Sequence, residues 1–304
     1  MTTVLSIIVT YNGLTNNWID TCLNSLVKSD HYTDIIVIDN ASTDHTRIYI
    51  QQHFPNVQLI CTDKNLGFGQ ANNIGLEICL DKNYHFAFLL NQDASIQSNT
   101  LSKLIAIAEK YPIYGVLSPI HFNADGSALD YKFSNYLDNA RFKKSALSKA
   151  FEQPENVYDC DFVNAAAWLV SSKCIEKVGG FSPVFFHYGE DDNYCDRVKW
   201  HNLKICIVDH SYIYHNRDSK TVPHTLKAQW KRTLASIKAA YANPVEQKGI
   251  AYFVGYLLKY GLKHPHFFKY IVNTSLTFPY RFFFKCKERS METGAFLTQP
   301  QPQP

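Results

Sequence analysis

Four short apolar runs, each closed by polar residues, constrain the fold of this chain more than any other feature. They are Val4–Thr10, residues 35–38, residues 57–61 and residues 86–90. Such runs, bounded by turn-forming residues, read as buried strands. Between them lie helical spacings. Trp18, Cys22, Leu23, Leu26 and Val27 share one helix face, Ser42 or Thr43 is placed to cap a helix that stops at Pro55, and 65–75 is glycine-rich at its start and helical after it. This β-α-β-α-β-loop-α-β order predicts an α/β fold with a mostly parallel central sheet and helices on both faces.

The later chain continues less regularly. Residues 101–111 form an amphipathic helix stopped by Pro112, and 115–119 is a fifth strand. Residues 120–158 are polar and without clear period, and are expected to form a loop or hairpin shaping the acceptor side of a site. Residues 162–171 are strand-like, 173–178 a short helix closed by Gly179-Gly180, and 204–208 and 210–215 two further strands. From 226 onward the pattern is helical and rich in Phe and Tyr, but lysines interrupt every run before the roughly 18 apolar residues of a spanning helix. The expected organisation is a domain over 1–220, a helical extension over 221–289 and a disordered tail over 290–304 that ends in a Gln-Pro repeat at 299–304.

Composition narrows the class. With 46% hydrophobic and 19% charged residues the chain is globular rather than disordered. Met1-Thr-Thr runs into a strand without a basic segment, so no secretory signal is expected. The eight cysteines form no CxxC pair and several sit in apolar runs, which suits reduced core residues of a cytoplasmic protein. The net charge of +3 hides an asymmetry. Residues 1–220 carry 18 Lys and Arg against 24 Asp and Glu, whereas 221–289 carry 12 against 2. A basic, aromatic-rich block suits the surface of a membrane with anionic headgroups, on the inner face of the cytoplasmic membrane, or a helical cover whose lysines are solvated. No nucleic-acid motif accompanies it, so nucleic acid is not an expected partner.

In open α/β sheets ligands gather beyond the carboxyl ends of the strands. Phe86-Ala-Phe-Leu-Leu90 ends there in Asn91-Gln92-Asp93, a carboxylate behind two amides, suited to a hard cation and its accompanying phosphates. Asp39 ends the second strand, where a carboxylate either accepts hydrogen bonds from a ribose or base or closes an Asx turn. The glycines of Gly67-Phe-Gly lack the remaining signature of a dinucleotide or P-loop motif, so a tight turn into a helix and a nucleotide-facing helix start both remain open. Glu190-Asp191-Asp192 is the densest acidic cluster. It is either a solvated turn or, behind Phe185, Phe186 and Tyr188, a set of carboxylates able to supply a general base. His215, at a strand end, becomes a metal-ligand candidate only if it meets Asp93 in space.

Taken together, Ser6-Ile-Ile-Val-Thr-Tyr-Asn12, Val37-Ile-Asp-Asn-Ala-Ser42, Asn65-Leu-Gly-Phe-Gly-Gln-Ala-Asn-Asn-Ile-Gly75, Leu89-Leu-Asn-Gln-Asp93, Gly189-Glu-Asp-Asp192 and His215 resemble, in order, glycosyltransferase family 2, and within it the rhamnosyltransferase-like members of bacterial polysaccharide synthesis. The resemblance implies the GT-A nucleotide-diphospho-sugar transferase fold. It implies that Thr10, Tyr11, Asn12, Asp39, Asn65, Gly67 and Asn72, with Asn91 and Gln92, line the nucleotide-sugar site. Asp93 then takes the metal-binding place of an Asp-x-Asp motif whose first acid is Asn91 here, which leaves Asp93 and His215 to hold Mn2+ or Mg2+. Asp191, paired with Glu190, takes the catalytic-base position, and Asn164 and Trp168 fall in the acceptor segment.

The implied reaction is transfer of a sugar, rhamnose by similarity, from a dTDP- or UDP-linked donor to a hydroxyl of a glycan or lipid-linked glycan, with inversion at the anomeric carbon. It needs one base and no protein nucleophile, in keeping with the absence of a Ser-His or Cys-His arrangement. Two other classes share the fold plan. A sugar nucleotidyltransferase would carry a glycine-rich, basic phosphate loop soon after the first strand, and residues 11–17 have none. A catalytically silent nucleotide-sugar-binding relic is favoured by the reduced Asn91-Gln92-Asp93 motif and disfavoured by Glu190-Asp191.

Overall fold

The computed structural model describes residues 2–138, 157–217, 225–245 and 249–297. Its elements, in order, are β1 (Val4–Thr10), α1 (Trp18–Val27), β2 (Asp34–Asp39), α2 (Thr46–His53), β3 (Gln58–Cys61), α3 (Phe68–Asp81), β4 (Phe86–Asn91), β5 (Ala94–Ile96), α4 (Thr100–Lys110) and β6 (Tyr114–Asn123). Then follow α5 (Tyr131–Asp138), β7 (Val157–Cys160), β8 (Ala167–Ser171), α6 (Ser172–Val178), α7 (Glu190–Trp200) and β9 (Lys204–His215). The chain closes with α8 (Leu226–Ala242), α9 (Ile250–Lys263), α10 (Phe268–Thr277) and α11 (Tyr280–Arg289).

One sheet runs β3-β2-β1-β4-β8-β6-β9-β5, with β7 paired to β9. The four strands of the first third are parallel, as their apolar runs predict. Beyond β4 the sheet is mixed: β8 is antiparallel to both β4 and β6, while β6 and β9 are parallel. Period-two alternation divides the core. Val4, Ile8, Val37, Phe88 and Leu90 pack under α1, α2 and α4, and Leu5, Ile7, Ile36, Ile38 and Leu89 pack under α3, α6 and α7. Strands buried on both faces explain why these runs are nearly continuous in apolar residues.

Several expectations are corrected in detail. The two late strands are one, bent by a bulge where the register jumps from Pro119↔Val208 to Ile120↔Tyr212 and His210 takes φ +57°. Neither Ser42 nor Thr43 caps α2; Asp44 Oδ1 accepts from the Thr46 backbone N–H at 3.0 Å, and the other two are tied to Asn12. Residues 120–138 extend β6, turn, and enter α5; the rest of the expected acceptor loop, 139–156, lies outside the described residues.

The largest correction concerns the tail. Residues 290–297 are packed, with Leu297 in the second core layer and Ala295 buried beside Gly179. Gly180 N–H donates to Ala295 O at 2.8 Å, and Gly179, at φ +81°, leaves no room for a side chain because a Cβ there would lie 1.9 Å from Ala295 O. The fully buried Arg197 guanidinium donates to the carbonyls of Val178, Gly180 and Ser290 and stacks on Phe296. Residues 298–304 lie outside the described residues. All eight cysteines are free thiols, and only Cys61 is exposed.

The extension α8–α11 builds its own apolar cluster, from Trp230, Ile237, Tyr241, Phe253, Leu257, Phe267, Ile271 and Phe283, around Phe185. It therefore backs directly onto the chain that leads into α7. Among the described residues no helix is long and apolar enough to cross a membrane.

Candidate active site

The carboxyl ends of β1, β2 and β4 open side by side, because β1 lies between its two parallel partners. Their loops are stitched together by two amides. Gln92 Oε1 accepts from Thr10 Oγ1 at 2.6 Å and from the Tyr11 N–H at 3.0 Å, and Gln92 Nε2 donates to Tyr11 O at 3.1 Å. Asn12, at φ +51°, donates its N–H to Ser42 Oγ and accepts from the Thr43 N–H at 2.9 Å. The side chains of Gln92 and Asn12 are thus spent on the scaffold, and Tyr11, 44% exposed, is the member of the group that presents a ring. For Asp39 the Asx-turn reading is realised. Its Oδ1 accepts from Ser42 N–H at 3.0 Å and pairs with Arg47 Nε at 2.6 Å, while the buried Oδ2 has no partner among the described residues.

The glycine turn before α3 is held in the same manner. Asn65 Oδ1 accepts from the Gly67 N–H at 2.9 Å and from Asn40 Nδ2 at 3.1 Å, and Asn40 Oδ1 accepts from Leu66 N–H. Gly67 takes φ +81°, and a Cβ there would sit 2.2 Å from Phe186 O, so only glycine lets the turn touch the loop ahead of α7. Asn72 is buried and donates to its own helix at Phe68 O. Its neighbour Asn73 exchanges two hydrogen bonds with the Phe181 backbone, at 2.7 and 3.0 Å. Asn40, Arg47 and Asn73 were not singled out from the sequence; Asn40 and Asn73 lie inside the quoted motifs, so the signal was present.

Asp93 and His215 meet. Strand β5 pairs with the bent end of β9 so that Ala94 faces His215, and His215 Nε2 lies 3.2 Å from Asp93 Oδ1. Asn216 N–H donates to Asp93 O at 2.7 Å, fixing the turn. The other imidazole nitrogen is buried, 3.9 Å from Asp130 Oδ2, and Asp130 pairs with Arg217 Nε at 2.6 Å. A divalent ion fits this donor set. Adjacent ligands about 2.1 Å from an octahedral ion sit about 3 Å apart, close to the observed separation. An imidazole whose second nitrogen looks toward a carboxylate is a usual metal-ligand arrangement. Among the described residues no third His, Cys, Asp or Glu joins them, so further ligands would be phosphate oxygens and water. Asp130 and Arg217 were missed in the sequence; Asp130 carries no motif, and only its position in the β6–α5 turn brings it here.

On the facing side, Tyr188 and Gly189 both adopt left-handed conformations, φ +72° and +90°, and turn the chain into α7. A non-glycine residue held there is strained, a feature that concentrates at functional sites. Glu190 is buried and Asp191 half-buried at the first turn. Burial, then the charges of Glu190 and Asp192, push the Asp191 carboxyl up to about 8; burial foremost pushes Glu190 up to about 7. Glu190 Oε2 has no hydrogen-bond partner among the described residues. A Cβ at Gly69 would lie 3.7 Å from Glu190 Cβ, which places this acidic turn against the start of α3. Asn164 is buried, and its Oδ1 has no partner among the described residues. Trp168 does not present a face to an acceptor: it is fully buried beside Phe181 and Tyr194 and supports the floor instead. Buried polar atoms without partners cost about 1–3 kcal/mol each, and among the described residues Asp39, Asn91, Asn164, Glu190, His215 and Arg217 each carry one with no partner there.

The profile of Glycosyl transferase family 2 matches residues 6–175, more than half of the chain. The chain belongs to glycosyltransferase family 2. Among the family relatives, the low-salt glycan biosynthesis hexosyltransferase Agl10 of Haloferax volcanii is 25% identical over 174 residues, covering 57% of this chain and 55% of that protein. The chain thus spans about half the length of that relative. The N-acetylglucosaminyl-diphospho-decaprenol L-rhamnosyltransferase of Mycobacterium tuberculosis is 25% identical, covering 72% of this chain and 78% of its own. The dTDP-rhamnosyl transferase RfbF of Shigella flexneri is 23% identical, with 72% and 71% covered. Among solved structures, TarS 1–349 of S. aureus in complex with UDP-GlcNAc superposes with a TM-score of 0.57 at 15% identity, over 95% of this chain and 81% of that one. The family fold is therefore of the GT-A type, with the mixed sheet and C-terminal helices described above.

Proposed function

We propose that the protein is an inverting glycosyltransferase that moves a sugar, rhamnose or another hexose, from a dTDP- or UDP-linked donor to a hydroxyl of a glycan or lipid-linked glycan. The observation that carries this reading is the pairing of Asp93 with His215 at the carboxyl ends of the parallel strands, while the raised carboxyl of Asp191 stands at the turn packed against Gly67 and Gly69. The rhamnosyltransferase and hexosyltransferase relatives support the sugar class.

In this reading the nucleoside lies against Tyr11 and Asp39 Oδ2, which has no partner among the described residues, between loops that Gln92 and Asn12 hold in place. Asp93 and His215 would hold Mn2+ or Mg2+, which when bound neutralises charge on the donor diphosphate. Asp191 takes the proton of the acceptor hydroxyl as that oxygen forms its bond to the anomeric carbon. The carbon–oxygen bond to the diphosphate breaks on the opposite face, its electron pair leaving with the nucleoside diphosphate, and the configuration inverts. A base with a carboxyl raised toward the working pH is well matched to this proton transfer.

A donor panel tests the reading: hydrolysis and binding of dTDP- and UDP-sugars with and without Mn2+ or Mg2+, for wild type and Asp191→Asn. Turnover of one donor, lost by roughly 100- to 10,000-fold in Asp191→Asn while binding persists, is expected. Binding without turnover in either protein, even with glycan acceptors supplied, favours the silent relic.

A further inference from the structure

The helical extension carries a surface that the transfer reaction does not use. In α9 the residues Phe253, Leu257 and Gly261 face the cluster around Phe185, while Leu258 and Leu262 point outward, 53% and 84% exposed. In α10, Ile271 and Thr274 face inward, while Phe268, Val272 and Leu276 form an outward stripe at four-residue spacing, Leu276 being 81% exposed. The two helices meet where Gly261 approaches Ile271: a Cβ on that glycine would lie 3.2 Å from Ile271 Cδ1. At 3.6 residues per turn, both outward stripes are rotated to the same side of this seam, so they flank it as one apolar strip. Exposed leucines and a phenylalanine in such register are not ordinary scatter on a soluble surface.

The charge around the strip is of one sign. Residues 249–287 contain six Lys and Arg and no Asp or Glu, and Lys259, Lys263 and Lys269 stand exposed on the two helices of the strip. Apolar side chains at the centre, lysines alongside and helices too short to span are the features of a segment that lies in the interfacial layer of a bilayer. A symmetric contact between two copies would set these lysines against one another, which disfavours self-association through this face.

We propose that the α9–α10 hairpin is a docking face for a bilayer containing anionic lipid, with Leu258, Leu262, Phe268, Val272 and Leu276 entering the interface and Lys259, Lys263 and Lys269 meeting the headgroups. The extension's core includes Phe185, Lys238 of α8 donates to Val184 O, and Asn193 Nδ2 of α7 donates to Ala242 O. Docking through α9 and α10 therefore holds the segment that bears Asp191 at a fixed offset from the membrane, where a lipid-linked acceptor would be met. The docking itself stands apart from the reaction assigned above.

Flotation of the full chain with vesicles tests it, comparing phosphatidylcholine alone with mixed phosphatidylglycerol and phosphatidylcholine. Wild type is expected to float with the mixed vesicles and to be released by high salt. Leu262→Ser/Leu276→Ser is expected to weaken binding by roughly tenfold for each leucine, and Lys259→Gln/Lys263→Gln/Lys269→Gln to remove the preference for the anionic vesicles. Both changes lie on exposed positions, and unchanged thermal unfolding and nucleotide-sugar binding separate lost docking from lost structure or lost chemistry. Folded wild type that does not float, or variants that float as well as wild type, would overturn the proposal. So would a concentration-dependent oligomer in light scattering that the double leucine variant abolishes, which would assign the strip to a second copy.

Discussion

In the proposed function two adjacent carboxylates carry the chemistry, and their shared environment would set its pH dependence. Burial and like charge raise both Asp191 and Glu190, so a base at Asp191 is protonated at mildly acidic pH and becomes competent as pH rises through about 8. Turnover against pH is expected to show an ascending limb in that range. Glu190→Gln removes the larger of the two neighbouring charges acting on Asp191 and is expected to move the limb to lower pH; a limb that stays in place would assign it to another group. The same residues illustrate what the sequence could not decide. Glu190-Asp191-Asp192 taken alone could be a solvated turn; its packing against the start of α3, beside a Phe185 backed by the C-terminal helices, is a long-range outcome. His215 likewise needed a contact 122 residues away in sequence to become a ligand candidate.

At the scale of elements, the legible part of the sequence was the part with local causes. The parallel strands β1 to β4 and the helices between them follow from apolar runs and turn residues, and they place Thr10, Asp39 and Asp93 correctly at strand ends. The mixed half of the sheet was not legible, because strand direction depends on long-range pairing, and the bulge at 209–211 merges two apparent strands into one. Nor was the role of Arg197, which from sequence is one more charge beside an acidic cluster. In the fold it satisfies three carbonyls at the junction of α6, α7 and the C-terminal segment. Arg197→Met keeps the volume but strands those carbonyls, and is expected to cost about 3 kcal/mol in urea denaturation. A cost below about 1 kcal/mol would show that water replaces the guanidinium there.

For the whole molecule, the C-terminal segment closes the fold rather than trailing from it, a reversal explained by Leu297 and Ala295 filling the space beside Gly179-Gly180. Truncation after Arg289 is expected to lower stability by about 2–4 kcal/mol from lost apolar burial, read as a fall in the midpoint of thermal unfolding. An unchanged midpoint would return residues 290–297 to the status of a tail. The tied loops of β1, β2 and β4 and the pairing of β5 with β9 surround Asp93, which the proposed function makes the anchor of a nucleoside diphosphate. Titration calorimetry of UDP and dTDP, with and without Mn2+, against wild type and Asp93→Ala tests that most directly. Wild type is predicted to bind one of the two nucleotides more tightly with Mn2+, and Asp93→Ala to lose that enhancement by roughly 10- to 100-fold. Folded wild type that binds neither nucleotide, or Asp93→Ala that retains the full Mn2+ enhancement, would contradict the account.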